Sequence, residues 1–317
     1  VKVVFMGTPE TALPALDAIL AAGHVVPLVV TQPDRPVGRS KSPRPPPVKT
    51  FALARGLSVI QPFKVRTVEF HHAIVAACPD VLAVVAYGRI LPRPVLEAAP
   101  HGAINLHFSL LPAYRGAAPV QWALARAESE TGVTTFRLDE GLDTGELLAQ
   151  RPVSIEPGER APALLGRLAI AGAPLLVETL AGLATGTLTP VRQDERRATL
   201  APILTRHDGD WDPAWTASEL AGRVRGFDPW PGVWAVRSGK RLRIVEARAE
   251  SAMTTGASAG TIVELDGEAV RIACGGGTSV LVGQVQPEGG RSMSARAAVN
   301  GRLLLPGDRL ERPESPA

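Results

Sequence analysis

The sequence predicts an α/β fold, a doubly wound domain with a parallel-rich sheet followed by a small C-terminal open β-barrel of the OB-like kind. Three observations predict it. Along the N-terminal two thirds, apolar runs suited to buried strands alternate with amphipathic stretches, which is the rhythm of a sheet covered by helices. The turn-rich TGTLTP and the polar VRQDERRATL that follow it then interrupt this rhythm. Beyond them, short β-rich runs are separated by Gly turns, as in small barrels. At 317 residues the chain also exceeds the length at which one hydrophobic core stops growing. The expected organisation is a first domain at 1–186, a linker at 187–210 and a second domain at 211–317.

The elements follow in chain order. The apolar run at 2–6 reads as the first strand and stops at Gly7-Thr8-Pro9, a turn that places Pro9 at the first helical position of a helix over 10–22. A second strand at 25–30 leads into PDRPVGRSKSPRPPPVK at 33–49, whose six prolines and five basic residues argue against regular secondary structure. Long loops inside compact domains are usually functional lids or disordered segments, and the interleaved charges favour function here. Helices over 48–55, 65–77, 93–98 and 119–127 then alternate with strands at 58–60, 81–86 and 102–106. Strands at 132–137 and 147–154 precede a long helix at 161–183. Past the linker, a short helix at 216–225 is followed by strands at 233–236, 241–249, 260–265, 268–274 and 278–285.

Bulk properties exclude several classes. Hydrophobic residues at 45% and charged residues at 21% describe a foldable globular chain. Cys78 and Cys274 are far apart with no metal-ligand spacing, so neither a disulfide framework nor a metal site is expected, and a reducing cytoplasm fits. The opening VKVVFMG lacks the length of a secretory core, and no apolar run reads as a membrane span. A pI of about 9.1 suggests a polyanionic partner, yet Lys and Arg against Asp and Glu number 17 to 15 in residues 1–190 and 14 to 14 in 206–317. The excess is therefore local. Arg35, Arg39, Lys41, Arg44 and Lys49 cluster in one loop and Arg237, Lys240, Arg241, Arg243 and Arg248 in a second stretch, and charge alone reads both as solvated faces rather than RNA sites.

In doubly wound sheets ligands bind beyond the carboxyl ends of strands, which directs attention to 87–91, 105–116 and 138–146. MGTPETALPA lacks the three-glycine dinucleotide fingerprint, so a nicotinamide enzyme is disfavoured. Asn105 and His107 flank Leu106 at a strand end, and alternation sends both side chains to one face. An imidazole beside a carboxamide can stabilise charge on a carbonyl oxygen under attack, although an isolated Asn-x-His is commonly structural. LDEGLDTGE at 138–146 offers Asp139, Glu140, Asp143 and Glu146, where a carboxylate could orient the imidazole or accept a proton, or simply form a solvated turn. Ser109 with His107 and Asp143 lacks a nucleophile elbow, which weakens a hydrolase reading.

NLHFSLLPAYRGAAPVQ at 105–121, LDTG at 142–145, TQPDRPVGR at 31–39, VVAYGRILP at 84–92 and FDPWPG at 227–232 together resemble the methionyl-tRNA formyltransferase family, along essentially the whole chain. The resemblance implies a Rossmann-like formyltransferase domain and a barrel that contributes to tRNA binding. It further implies Asn105, His107 and Asp143 as the catalytic trio. Ser109, Leu110, Leu111, Pro112, Tyr87 and Gly88 are implied to bind the folate. Arg35, Arg39, Lys41, Arg44 and Lys49 are implied to contact tRNA. The implied cosubstrates are 10-formyltetrahydrofolate and methionyl-initiator tRNA, with no metal and no obligate protein partner. Phe108 departs from the pattern, standing where the family usually has glycine. So does Ile203, near which the family commonly has a lysine. Nucleotide-sugar formyltransferases and a catalytically inactive RNA-binding relative are the competing readings, the latter disfavoured because all three catalytic residues are present.

Overall fold

In the computed structural model, which describes residues 1–36, 42–250 and 256–313, the elements follow the expected alternation. In order they are β1 (Lys2–Gly7), α1 (Leu13–Ala21), β2 (Val25–Val30), β3 (Arg35–Pro36), β4 (Pro43–Arg44), α2 (Pro47–Ala54), β5 (Val59–Ile60), α3 (Val68–Ala76), β6 (Val81–Val85), α4 (Arg93–Leu96) and β7 (Ala103–His107). Then come α5 (Pro119–Ala125), β8 (Glu130–Arg137), β9 (Leu147–Ser154), α6 (Ala161–Thr185), α7 (Ala217–Gly226), β10 (Val233–Arg237), β11 (Lys240–Ala249), β12 (Ile262–Asp266), β13 (Ala269–Ala273), β14 (Ser279–Pro287), β15 (Met293–Ser294) and α8 (Ala295–Asn300).

Two compact units emerge. One comprises Val1–Gly116, Glu130–Ser154 and Leu165–Leu200; the other comprises Ala117–Ser129, Ile155–Leu164 and Ala201–Ala317. In the first, seven strands run in the order β5-β2-β1-β6-β7-β8-β9. The pairings from β5 to β7 are parallel, with Val4 beside both Leu28 and Leu82. The two last strands are antiparallel, with His107 opposite Thr134 and Thr134 opposite Gln150. The sheet is parallel-rich as expected, with β8 running against the other six strands. β9 returns directly from β8 through the acidic loop, and a direct return makes antiparallel neighbours, whereas β8 follows β7 through α5 and still enters the sheet antiparallel to it.

Two local expectations are also revised. The Pro-rich loop is not wholly irregular: Arg35 pairs with Arg44 and Pro36 with Pro43, and Pro47 opens α2 from its first turn. Proline at that position gives up no helical hydrogen bond, so a proline run can end in a helix. Helix α3 starts at Val68 rather than 65, because the Thr67 side chain accepts from the Phe70 N–H and so caps it.

Helix α6 is long and apolar enough, by length and composition, to cross a membrane. Its residues from Leu165 onward nevertheless lie on the sheet: Thr179 and Thr135 share a hydrogen bond of 2.7 Å, and Leu168, Leu175, Leu176 and Leu180 are buried. A Cβ at Gly172 would stand 2.8 Å from the end of the Leu106 side chain, so this close approach suits glycine.

In the second unit the antiparallel path β10-β11-β14-β13-β12 is drawn together at its ends by residues 309–311. Val236 and Glu311 exchange backbone hydrogen bonds of 2.9 and 2.8 Å, and the Leu310 N–H donates to Gly260 at 2.8 Å. Pairing of this kind covers part of the two strand edges that the open path leaves. The core includes Trp211, Phe227, Val233, Ile244, Ile272 and Val282, with α5 contributing Ala118, Ala125 and Trp122, whose ring meets Phe227 edge-on at 5.5 Å.

Candidate active site

Strand β7 delivers Asn105 and His107 to one sheet face, as alternation requires. His107 is buried and its Nε2 lies 2.9 Å from the Tyr114 carbonyl oxygen. A carbonyl only accepts, so Nε2 carries the proton. That leaves Nδ1 facing Asp143 Oδ2 at 3.7 Å, within ion-pair range but beyond a direct hydrogen bond. Phe136 stacks edge-on against the imidazole with ring centroids 6.3 Å apart. Tyr114, which supplies the carbonyl, sits at φ 64°, a region unfavourable to a bulky residue, and is held by its N–H donating to Thr199 Oγ1 at 2.8 Å. Asn105 is half-buried, and among the described residues its carboxamide makes no hydrogen bond. Its polar atoms are free for a ligand.

Asp143 arrives from the β8–β9 connection with its backbone at φ 55°. A non-glycine residue in that region costs on the order of 1–3 kcal/mol and persists only when its surroundings over-determine it. The surroundings do so. Oδ2 accepts from the Gly116 N–H at 2.8 Å, and the Gln193 side-chain amide donates to the carbonyls of both Asp143 and Gly145 at 2.7 Å each. A Cβ at Gly145 would overlap the Arg137 carbonyl, so the turn after Asp143 admits only glycine. Asp139 accepts from Gly141 N–H and Thr144 Oγ1, and Glu146 pairs with Arg137 at 3.5 Å, so both serve the loop itself.

The implied folate residues divide. Ser109 Oγ donates to the Ala113 carbonyl at 2.6 Å, and the Leu111 N–H donates to Thr134 Oγ1 while its carbonyl accepts from Gln150 Nε2 at 2.8 Å. These polar groups are satisfied internally and shape the loop of Ser109, Leu110, Leu111 and Pro112. Gly88 is exposed at φ 77°, after Tyr87, whose ring is buried and whose carbonyl accepts from Thr8 and Gln32. Burial without a hydroxyl partner pushes the Tyr87 phenol up to about 12. Phe108 is buried as well, so its ring is not presented to solvent. A cavity of about 550 Å³ is lined by Ile90, Leu91, Pro92, Val95, His71 and, from the acidic loop, Glu140, among others, and by none of Asn105, His107 and Asp143.

Of the basic loop, Arg35 and Arg44 are exposed on β3 and β4, whereas Arg39 and Lys41 lie outside the described residues. Lys49 is engaged. Its ammonium donates to both Asp34 oxygens at 2.8 Å and to Gln61 Oε1 at 2.7 Å, and this contact holds the Asp34 carboxyl below its usual range, with help from Gln61. Gln61 Nε2 in turn donates to the Gln32 carbonyl, and Gln32 Nε2 to Tyr87 O, so one network joins the base of the hairpin to the end of β6. In the other unit, Arg237, Arg241 and Arg243 are paired with Asp308, Asp210 and Asp228, which neutralises much of the second basic stretch. Among the described residues no cluster of His, Cys, Asp and Glu could hold a metal.

Sequence reasoning missed Tyr114, Thr134, Gln150, Gln193, Arg115 and Thr199. Each acts through a bond to a residue distant along the chain. A buried polar residue within the apolar run of β8 is the signal that could have found Thr134.

The Formyl transferase family model matches residues 1–180, and the Formyl transferase C-terminal domain model matches 204–303. A methionyl-tRNA formyltransferase of Acidobacterium capsulatum is 50% identical over 313 residues, covering 98% of this chain and 99% of that protein. One from Anaeromyxobacter dehalogenans is 48% identical, covering 95% and 96%. Among solved structures, an N-formyltransferase of Helicobacter canadensis in complex with folinic acid and dTDP-3-aminofucose has the same fold at a TM-score of 0.66, with 18% identity, 89% of this chain and 98% of that chain covered. HypX from Aquifex aeolicus in complex with tetrahydrofolic acid aligns at a TM-score of 0.57 and 17% identity, covering 99% of this chain and 50% of that one.

Proposed function

The chain belongs to the methionyl-tRNA formyltransferases, and on that footing we propose that it transfers the formyl group of 10-formyltetrahydrofolate to the free α-amine of methionine esterified to initiator tRNA. The observation that carries the reading is the convergence of Asn105, His107 and Asp143 at the carboxyl end of β7 and the acidic loop beside it. The free carboxamide of Asn105 is the donor for the oxygen that gains negative charge when the amine attacks the formyl carbon. With its Nε2 proton committed to Tyr114, His107 has only Nδ1 with which to hold or move a proton. A proton there is stabilised by the Asp143 carboxylate, and the imidazolium adds positive charge beside the same oxygen. The proton leaves the amine and reaches the departing folate nitrogen, with His107 and Asp143 governing the transfer.

The cavity lined by Ile90, Leu91, Pro92 and Glu140 fits a flat heteroaromatic ring, its apolar walls taking the ring faces and the carboxylate accepting from ring N–H groups. Arg35 and Arg44, together with Arg39 and Lys41, supply charge for the tRNA phosphates, while Lys49 anchors their loop. Cytoplasmic action on tRNA is consistent with this chemistry.

Incubation with labelled 10-formyltetrahydrofolate, methionyl-initiator tRNA and a competing nucleotide-sugar amine tests the reading. Label is expected on the tRNA; label on the sugar alone would overturn it. Asp143→Asn is expected to lower kcat by about 10²–10⁴-fold, the usual weight of a positioned acid–base group. Full activity in that variant would remove Asp143 from the reaction.

A further inference from the structure

Residues 191–199 were expected to lie in a linker, yet they lie across both catalytic loops. Val191 exchanges backbone hydrogen bonds of 2.8 and 2.9 Å with Leu147, at the exit of the acidic loop. Thr199 accepts from the Arg115 N–H through its carbonyl at 2.8 Å and donates its own N–H to Pro112 O at 3.2 Å, on the loop after β7. Gln193 stands between. Its amide nitrogen donates to the Asp143 and Gly145 carbonyls, and its Oε1 accepts from Arg115 Nε and Nη2 at 3.0 and 2.8 Å. Arg115 is buried and completes the chain with two bonds of 2.8 Å to Glu195.

We propose that Gln193, oriented by Arg115, is a positioning residue for Asp143, setting the carboxylate that faces His107 Nδ1. The inference rests on Asp143 acting in the reaction as argued above. Its physical basis is the conformation of Asp143. A side chain on a left-handed backbone points where it does only while that backbone is held, and the Gln193 amide is the group that binds its carbonyl. Both hydrogen atoms of the amide are spent on carbonyls flanking the Asp143–Gly145 turn, and both acceptor sites of its oxygen are spent on one guanidinium. Every polar atom of Gln193 is thus committed, and a glutamate of the same shape could accept from Arg115 but could not donate to the two carbonyls. Arg115 fixes which way the amide faces, since only the oxygen can meet the guanidinium. The segment that leads to the second unit therefore completes the catalytic site of the first.

The test is a double-mutant cycle on the full chain, with steady-state kinetics in both substrates and thermal melting. Gln193→Ala is expected to lower kcat by roughly 10–100-fold, the range a misplacement of about 1 Å produces. KM for the formyl donor and for tRNA should stay within twofold, a split between kcat and KM that a merely structural defect would not give. In the Asp143→Asn background, Gln193→Ala should cost nothing further, because the two residues act as a unit. Gln193→Glu, which keeps the volume, should reproduce the kcat loss and serves if the alanine variant melts below assay temperature. Unchanged kcat in the glutamate variant, or losses that multiply with Asp143→Asn, would overturn the proposal. Activity retained by Asp143→Asn alone would instead overturn the role of Asp143 and leave the hydrogen-bond network as architecture.

Discussion

His107 shows how a buried side chain is given one chemical option. With Nε2–H spent on the Tyr114 carbonyl, the proton economy of the ring is confined to the nitrogen that faces Asp143. The residue types of this site, a carboxamide, an imidazole and a carboxylate after strand ends, were legible in the chain, since alternation alone places Asn105 and His107 together. Their supports were not, because Gln193 lies 50 residues from Asp143 in sequence and nothing local to either predicts their bond. Tyr87 belongs at this scale too. Its hydroxyl is buried without a partner, and leaving such a group unmatched costs about 1–3 kcal/mol. Tyr87→Phe is therefore expected to melt at the same or a higher temperature near pH 7. The folded chain keeps this phenol protonated to about 12 against an ordinary 10. Between those values the unfolded chain has lost the proton and the folded one has not. Tyr87 thus contributes full stability below the lower value, progressively less above it, and none beyond the upper one. Melting curves across that window should fall less steeply in the phenylalanine variant.

Elements divide by the range of the interactions that define them. The parallel strands from β5 to β7 were readable because each is an apolar run buried on both faces. The reversal of β8 was not, since strand direction depends on where the preceding connection returns to the sheet. The hairpin of β3 and β4 was concealed by its prolines, which suppress every local signal of pairing except the one ladder step they permit. At its base Lys49 is clamped by Asp34 and Gln61 and braces the loop. Lys49→Met is expected to raise KM for tRNA several-fold while KM for the formyl donor is unchanged, because the exposed arginines lose their fixed base. Equal effects on both substrates would argue against it. The depressed Asp34 carboxyl gives this clamp its pH range: its contribution is present above the ordinary carboxylate value and is lost only as pH falls through the lower folded one. Steady-state assays from neutral to mildly acid pH should thus show no change in tRNA KM from this source.

Over the whole chain, the expected two-domain plan put α5 with the N-terminal sheet, whereas α5 belongs to the second compact unit. Trp122, Ala118 and Ala125 of this segment fill the core shared with α7 and the barrel strands. A fragment of residues 201–317 is therefore expected to melt without a cooperative transition, its α7 face stripped of the apolar surface that α5 covers. Circular dichroism and calorimetry would show this, and a sharp two-state transition in the fragment would refute it. Readable from the chain alone were the family, the two fold types, the pairing of Asn105 with His107 on one strand face and the order of most elements. Those follow from periodicity, turn chemistry and motifs, all of which are local along the sequence. Strand direction at the sheet edge, the unit to which α5 belongs, the anchoring of Lys49 and the hold of Gln193 on Asp143 emerged only in three dimensions. Each depends on hydrogen bonds or packing between residues far apart in the chain, and no window of sequence records which distant partner satisfies a buried polar group.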